Sequence, residues 1–219
     1  RPLSPVEAQR IDVLWSLSSA LGFVNPVFGQ VLQMRYLREA LASQEPRQVG
    51  LAFCLEMGYL GLGGEKRWKR LEELFVRALA LAERTGDKEL LGVARAAGGL
   101  ASFLCGRWRE SSARWQAAEE VLRNECTRVR WQLDLLETFR ASVLWFLGET
   151  RELARLVPIY LRAAEERADA YALRGLRGGR ANNFWLVLDQ PGEARAQLES
   201  VALPRAPDQP AHLTHFYEL

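Results

Sequence analysis

The sequence predicts an all-α fold, an array of helical hairpins, on three observations. Leu occurs 36 times, while Ile, Val and Thr together occur 21 times. A chain so rich in Leu, Ala, Arg and Glu and so poor in β-branched residues favours helix. Apolar residues recur at spacings of three and four, and no alternating stretch bounded by hairpin turns is present. Glycines 64, 106 and 148 fall 42 residues apart, and Asp189 follows 41 residues later, each behind an aromatic-aliphatic run. A self-similar period near 40 built from two antiparallel helices marks an α-solenoid, in which each hairpin leaves an apolar face for its neighbour to cover.

The elements follow in order. Ser4-Pro5-Val6-Glu7 is a capping box with Pro at the first helical position, opening a helix that runs to Leu21-Gly22. Asn25-Pro26 starts a second helix reaching about Ser43, and Glu45-Pro46 a third that stops at Gly61-Leu62-Gly63-Gly64. The fourth, from about Glu65 to Thr85, carries Leu71, Leu74, Phe75, Ala78, Leu79 and Ala82 as one apolar stripe, and Gly86-Asp87 ends it. The fifth spans about Lys88 to Cys105, the sixth about Trp108 to Asn124, and the seventh about Thr127 to Leu147. The eighth places Leu153, Leu156, Val157, Tyr160, Leu161 and Ala164 on one face, with a kink expected at Pro158. The ninth is expected unbroken from about Asp169 to Leu188, and the tenth from Pro191 to near Leu203. The domain plan is a single domain over 1–219. It comprises an N-terminal pair or cap (1–45), hairpins at 46–87, 88–126, 127–168 and 169–203, and a linker with a truncated helix at 204–219.

Composition narrows the class further. With 219 residues, 48% of them hydrophobic and 26% charged, the chain can bury a core and is not globally disordered. Its net charge of +2 is nearly balanced despite a pI of 8.6, and 26 of its 29 basic residues are Arg. Cys54, Cys105 and Cys126 form no CxxC motif, which suits reduced core thiols and a cytoplasmic setting. The uncharged stretch 96–106 is 11 residues long, short of the about 20 a membrane span needs. The start, Arg1-Pro2-Leu3-Ser4-Pro5, lacks an initiator Met and an apolar signal core, as expected of a piece of a longer protein.

Gly98-Gly99-Leu100-Ala101, then Gly106-Arg107-Trp108-Arg109-Glu110-Ser111, then Trp115 and Ala118, resemble the tetratricopeptide repeat family. Gly99 matches the small residue of helix A, Gly106 the turn, Trp108 the aromatic behind it, and Ser111 and Ala118 the small positions of helix B. Leu74-Phe75-Val76-Arg77-Ala78-Leu79-Ala80-Leu81 is a second helix B match, whereas the pair around Gly148 has Leu153 and Tyr160 where small residues belong. The repeats are longer than the standard 34, and the resemblance covers about residues 46–203. Arrays of this Arg- and Leu-rich style are similar to C-terminal sensor regions of large bacterial signalling proteins, Ser/Thr kinases and STAND-type ATPases. The resemblance implies a non-catalytic scaffold or sensor that binds a peptide or partner helix in a groove lined by A helices, any kinase or ATPase chemistry lying outside this stretch.

Carrying the groove over places Leu100 and Phe103, then Thr138, Ser142 and Trp145, then Gly179, Asn183 and Leu186 in it, with Arg140 and Arg180 at its border. Aromatics there would supply contact area, and Arg or Asn would bind carboxylate or peptide backbone; packing between repeats is the competing role for Phe103 and Trp145. Arg174, Arg177 and Arg180 recur every three residues among Gly175, Gly178 and Gly179, a row suited to an acidic partner or phosphate, or to a solvated face. Lys66-Arg67-Trp68-Lys69-Arg70 and Arg107-Trp108-Arg109 could face nucleic acid, although Glu65, Glu72, Glu73 and Glu110 offset their charge and make that alternative weak. The only histidines, His212 and His215, lie three apart without an HExxH frame or Cys pair. No Walker A, GxSxG or kinase loop is present. The expectation is therefore no catalytic, metal or cofactor site, a protein or peptide partner, and a homodimer formed where an end repeat leaves its apolar face bare.

Overall fold

The computed structural model describes residues 4–201. The linker and truncated helix expected at 204–219, with His212 and His215, lie outside the described residues. The described residues form eleven α-helices and two 3-10 turns and contain no strand. The chain divides into two compact units, Arg1–Val129 and Arg130–Leu219.

The first unit holds α1 (Pro5–Val24), α2 (Pro26–Ser43), α3 (Pro46–Gly61), α4 (Trp68–Thr85), α5 (Lys88–Leu104) and α6 (Trp108–Glu125). They pack as three hairpins, α1/α2, α3/α4 and α5/α6, with α3 also against α2 and α5 against both α3 and α4. The capping box at Ser4 and Glu7 is formed, and Asn25 and Asp87 cap α2 and α5 through their side chains. Leu71, Leu74, Ala78 and Ala82 of α4 point into a core with Tyr36, Met57 and Leu90. Helix crossings are close where glycine removes the side chain. A Cβ on Gly99 would lie 2.9 Å from the Trp115 ring, and the buried Ser111 hydroxyl donates to the Gly99 carbonyl at 2.8 Å.

The second unit holds α7 (Arg130–Leu147), α8 (Thr150–Glu166), α9 (Ala170–Arg177), α10 (Asn183–Val187) and α11 (Pro191–Val201). Helix α7 packs on α8 and α9, α8 on α9 and α10, and α11 on α9 and α10, around Leu153, Val157, Leu176 and Phe184. Helix α8 runs from Thr150 to Glu166 with Pro158 inside it.

Two interleaved series of left-handed residues set the period. Within hairpins they are Gly64 (φ 65°), Gly106 (73°), Gly148 (69°) and Asp189 (56°); between hairpins they are Gln44 (56°), Gly86 (68°), Arg128 (62°) and Ala168 (52°). Gly106, Gly148, Ala168 and Asp189 each follow a helix end in the αL conformation, so the next amide reaches back to an otherwise unpaired carbonyl. Arg107 N–H donates to Ser102 at 2.8 Å, Glu149 N–H to Leu144 at 2.9 Å and Gln190 N–H to Trp185 at 2.9 Å. Arg128 also explains why the seventh helix starts at Arg130 rather than Thr127.

The continuous ninth helix expected from the sequence is broken, which is a correction. Gly178 is extended (φ −102°, ψ −179°) and Gly179 left-handed (φ 54°), so α9 ends at Arg177 and a 3-10 turn (Gly179–Asn182) leads into α10. The buried Asn182 amide donates to the Arg177 carbonyl at 2.7 Å and the Ala194 carbonyl at 2.9 Å, joining the end of α9 to α11. Two adjacent glycines make that turn inexpensive, and the asparagine fixes it.

Candidate functional site

In the first unit, Phe103 is buried, and Leu100 is half-buried on α5 facing Gly58 of α3. Both serve the packing of α5. The two basic-aromatic clusters meet each other. Arg107 lies over the Trp68 ring at 4.2 Å, and Arg114 lies 5.3 Å from the same ring and 4.1 Å from Phe75. Arg107 pairs with Glu65 (2.7 Å) and Glu110 (3.1 Å), and Arg114 with Glu72 (2.7 Å). The Arg107 guanidinium holds the Glu65 carboxyl below its ordinary range. This ladder engages Trp68, Arg107 and Arg114 with one another and with carboxylates between α4 and α6.

In the second unit, Thr138 and Ser142 are buried; their hydroxyls donate back along α7 to Asp134 (3.0 Å) and Thr138 (3.1 Å) carbonyls. A Cβ on Gly175 would sit 2.7 Å from Thr138 Oγ1, so Thr138 lies in the seam between α7 and α9. Arg140, 14% exposed, donates to the Tyr160 hydroxyl at 3.3 Å and lies 3.7 Å from Glu152. Trp145 packs against the core of this unit. The arginine row is divided by the break at Gly178. Arg177 pairs with Glu165 at 2.7 Å, and Arg180, beyond the break, lies 4.8 Å over Phe146. Asn183 begins α10 and is half-buried, while Gly179 forms the turn and Leu186 is exposed on α10. Arg174 is half-buried and makes no ion pair among the described residues.

One constellation was not anticipated. Trp131 of α7 and Tyr171 of α9 stack at 4.6 Å between ring centroids with planes tilted by 40°, and Trp131 is 43% exposed. Arg174 follows Tyr171 by three residues, so it projects from the same side of α9. A dense polar network supports this end of the helices. Arg130 donates to Asp134 (2.7 Å) and Glu137 (2.9 Å), Arg167 reaches Asp134 at 3.4 Å, and Asp169 accepts from the Ala172 N–H at 3.0 Å. Burial pushes the Asp134 carboxyl above its ordinary range despite Arg130. Burial opposes ionisation of Asp169 too, yet the Ala172 N–H and its hydrogen bond with Asp134 hold it low.

Trp131 and Tyr171 are the second residues of α7 and α9; the second residues of α3 and α5 are Arg47 and Glu89. Those two form an ion pair at 3.0 Å. Positions 47, 89, 131 and 171 therefore form one register of the repeat, polar in the first unit and aromatic in the second. Extending the glycine period to the helix starts would have exposed this column in the sequence.

Among the described residues no group of three or more His, Cys, Asp or Glu is placed to hold a metal ion. No described helix is long and apolar enough to cross a membrane. Compared with family models, curated proteins and solved structures, the chain matches none.

Proposed function

We propose that this chain is a tetratricopeptide-like helical repeat that binds a short segment of a partner protein, in the role of a non-catalytic scaffold or sensor within a larger bacterial signalling protein. The binding surface is the face of α7 and α9 that carries Trp131, Tyr171 and Arg174. The carrying observation is the partly exposed Trp131–Tyr171 stack at a register where the first unit has an ordinary ion pair. Stacked aromatics offer rigid apolar area at low entropic cost, and the adjacent guanidinium of Arg174 can take a carboxylate bidentately. The matching ligand is a peptide with an apolar or Pro side chain next to Asp, Glu or a chain terminus. Nucleic acid is disfavoured because the basic-aromatic clusters are internally paired. Selection from a random displayed peptide library, followed by fluorescence titration of one selected synthetic peptide, tests the reading. Trp131→Ala and Arg174→Glu are each expected to weaken binding about tenfold or more, the range of an interface anchor. Selected peptides indifferent to both substitutions would overturn it.

A further inference from the structure

Helices α1 and α2 differ from the other long helices in being apolar on two faces. Eight of the sixteen exposed large apolar side chains among the described residues lie on this one hairpin. The inward faces, with Ile11 on α1 and Leu32 and Tyr36 on α2, build the core of the first unit. The outward face of α2 reads Val27, Val31, Met34, Arg38 and Leu41, a spacing of four, three, four and three, and all five are exposed. That of α1 reads Val6, Arg10, Val13, Leu17 and Ala20 at the same spacing, again all exposed. Four-three spacing is the heptad seam by which one helix accepts another along its length. By contrast, the outward face of α4 is Lys69, Arg70, Glu73, Arg77 and Arg84 with a single Val76, an ordinary solvated surface.

We infer that this hairpin face is a homodimer interface, at which two copies of the chain pair α1 and α2 with their counterparts as a four-helix bundle. The eight side chains expose on the order of 700 Å², above what a monomer ordinarily leaves bare and close to one partner's share of a standard interface. A second copy fits because the α2 seam is complementary to itself. Turned end for end about a two-fold axis between Val31 and Met34, it sets Val31 on the partner's Met34 and Val27 on the partner's Arg38. The Arg38 stem covers Val27 there while its head reaches water, and the single arginine in the seam disfavours other registers. The surface lies on α1 and α2 and is independent of the peptide site on α7 and α9.

Sedimentation velocity of the 219-residue chain from about 1 to 100 µM, the upper range for interfaces of this size, reads the assembly directly. A dimer is expected, limited to two copies because an isologous face closes on itself. Met34→Glu and, separately, Leu17→Glu should raise the dimer dissociation constant about 100-fold or more, since each would bury unpaired carboxylates at the axis or beside it. Both positions are exposed in the single chain, so helical circular dichroism should be unchanged. Leu198→Glu on α11 should leave the dimer intact. A monomer throughout the range would overturn the inference and leave the face to a helix of another protein. A dimer indifferent to both hairpin substitutions, one lost with Leu198→Glu, or open-ended growth with concentration would overturn it as well.

Discussion

The second residue of each helix that begins a hairpin is used differently by the two units. In the first, Arg47 of α3 bridges Glu89 and the cap residue Asp87 of α5, joining two helix starts with charge. In the second, Trp131 of α7 and Tyr171 of α9 do the joining with aromatic faces, and the indole remains 43% exposed. The equivalent ion pair shows that the repeat can close its seam without exposed aromatic area. What exceeds the structural requirement is therefore where a binding role is best sought.

The largest expected effect tests the seams themselves. Gly99→Val drives a branched side chain into the Trp115 ring, where a Cβ would already sit at 2.9 Å, and should destabilise the protein by about 3 kcal/mol. Gly175→Val meets the Thr138 hydroxyl at 2.7 Å, and that smaller side chain can turn away, so about 1–2 kcal/mol is expected. Urea unfolding midpoints measure both, and a larger loss at Gly175 would reverse the ranking of the two seams.

An exchange sharpens the comparison. Trp131→Arg combined with Tyr171→Glu installs in the second unit the pair used by the first. Stability should stay within about 1 kcal/mol, the worth of an exposed pair, while binding of a selected peptide falls about tenfold or more. Thermal melting together with the fluorescence titration reads this; retained binding would return the aromatic pair to a purely structural role.

The smallest effects concern two carboxyls of opposite sign. Burial opposes ionisation of Asp87, but the Leu90 N–H and Arg47 hold its pKa low. Its contribution is present above the unfolded value near about pH 4 and fades as pH falls through the lower folded value. Asp134 is held high by burial, so its stabilising contribution is complete below about pH 4 and is lost as pH rises towards its folded value. Relative to wild type, Asp87→Asn should therefore become less harmful on acidification. Asp134→Asn should improve relative to wild type as pH rises from about 4 towards neutral, each by roughly 1 kcal/mol or less. Denaturant midpoints across that range check both slopes, and parallel slopes would show that the two carboxyls do not differ in this way.

The glycine half of each turn series is legible in the sequence because a left-handed residue strongly favours glycine. Gln44, Arg128 and Ala168 are not, since nothing local marks a non-glycine residue that the surrounding packing holds in αL. The close crossing at Gly99, Ser111 and Ala118 can be read from small residues at fixed offsets, and it is present. The break at Gly178 is ambiguous from sequence: three glycines among arginines suit either a tightly packed helix or a turn. The choice rests on Asn182 donating to both Arg177 and Ala194, a bond between elements distant along the chain. Sequence spacing assigns Thr138 and Ser142 to an open groove, whereas both are buried, because that spacing does not say which face of α7 Gly175 approaches.

Helix content, hairpin period and the positions of most turns follow from the sequence alone, because propensity, capping and left-handed backbone are decided within a few residues of each site. Which faces are buried, which arginines are neutralised by carboxylates, and that Trp131 meets Tyr171 were decided only by tertiary structure. Those outcomes depend on partners some 40 residues away, where a rotation of one helix face exchanges a core position for a surface one.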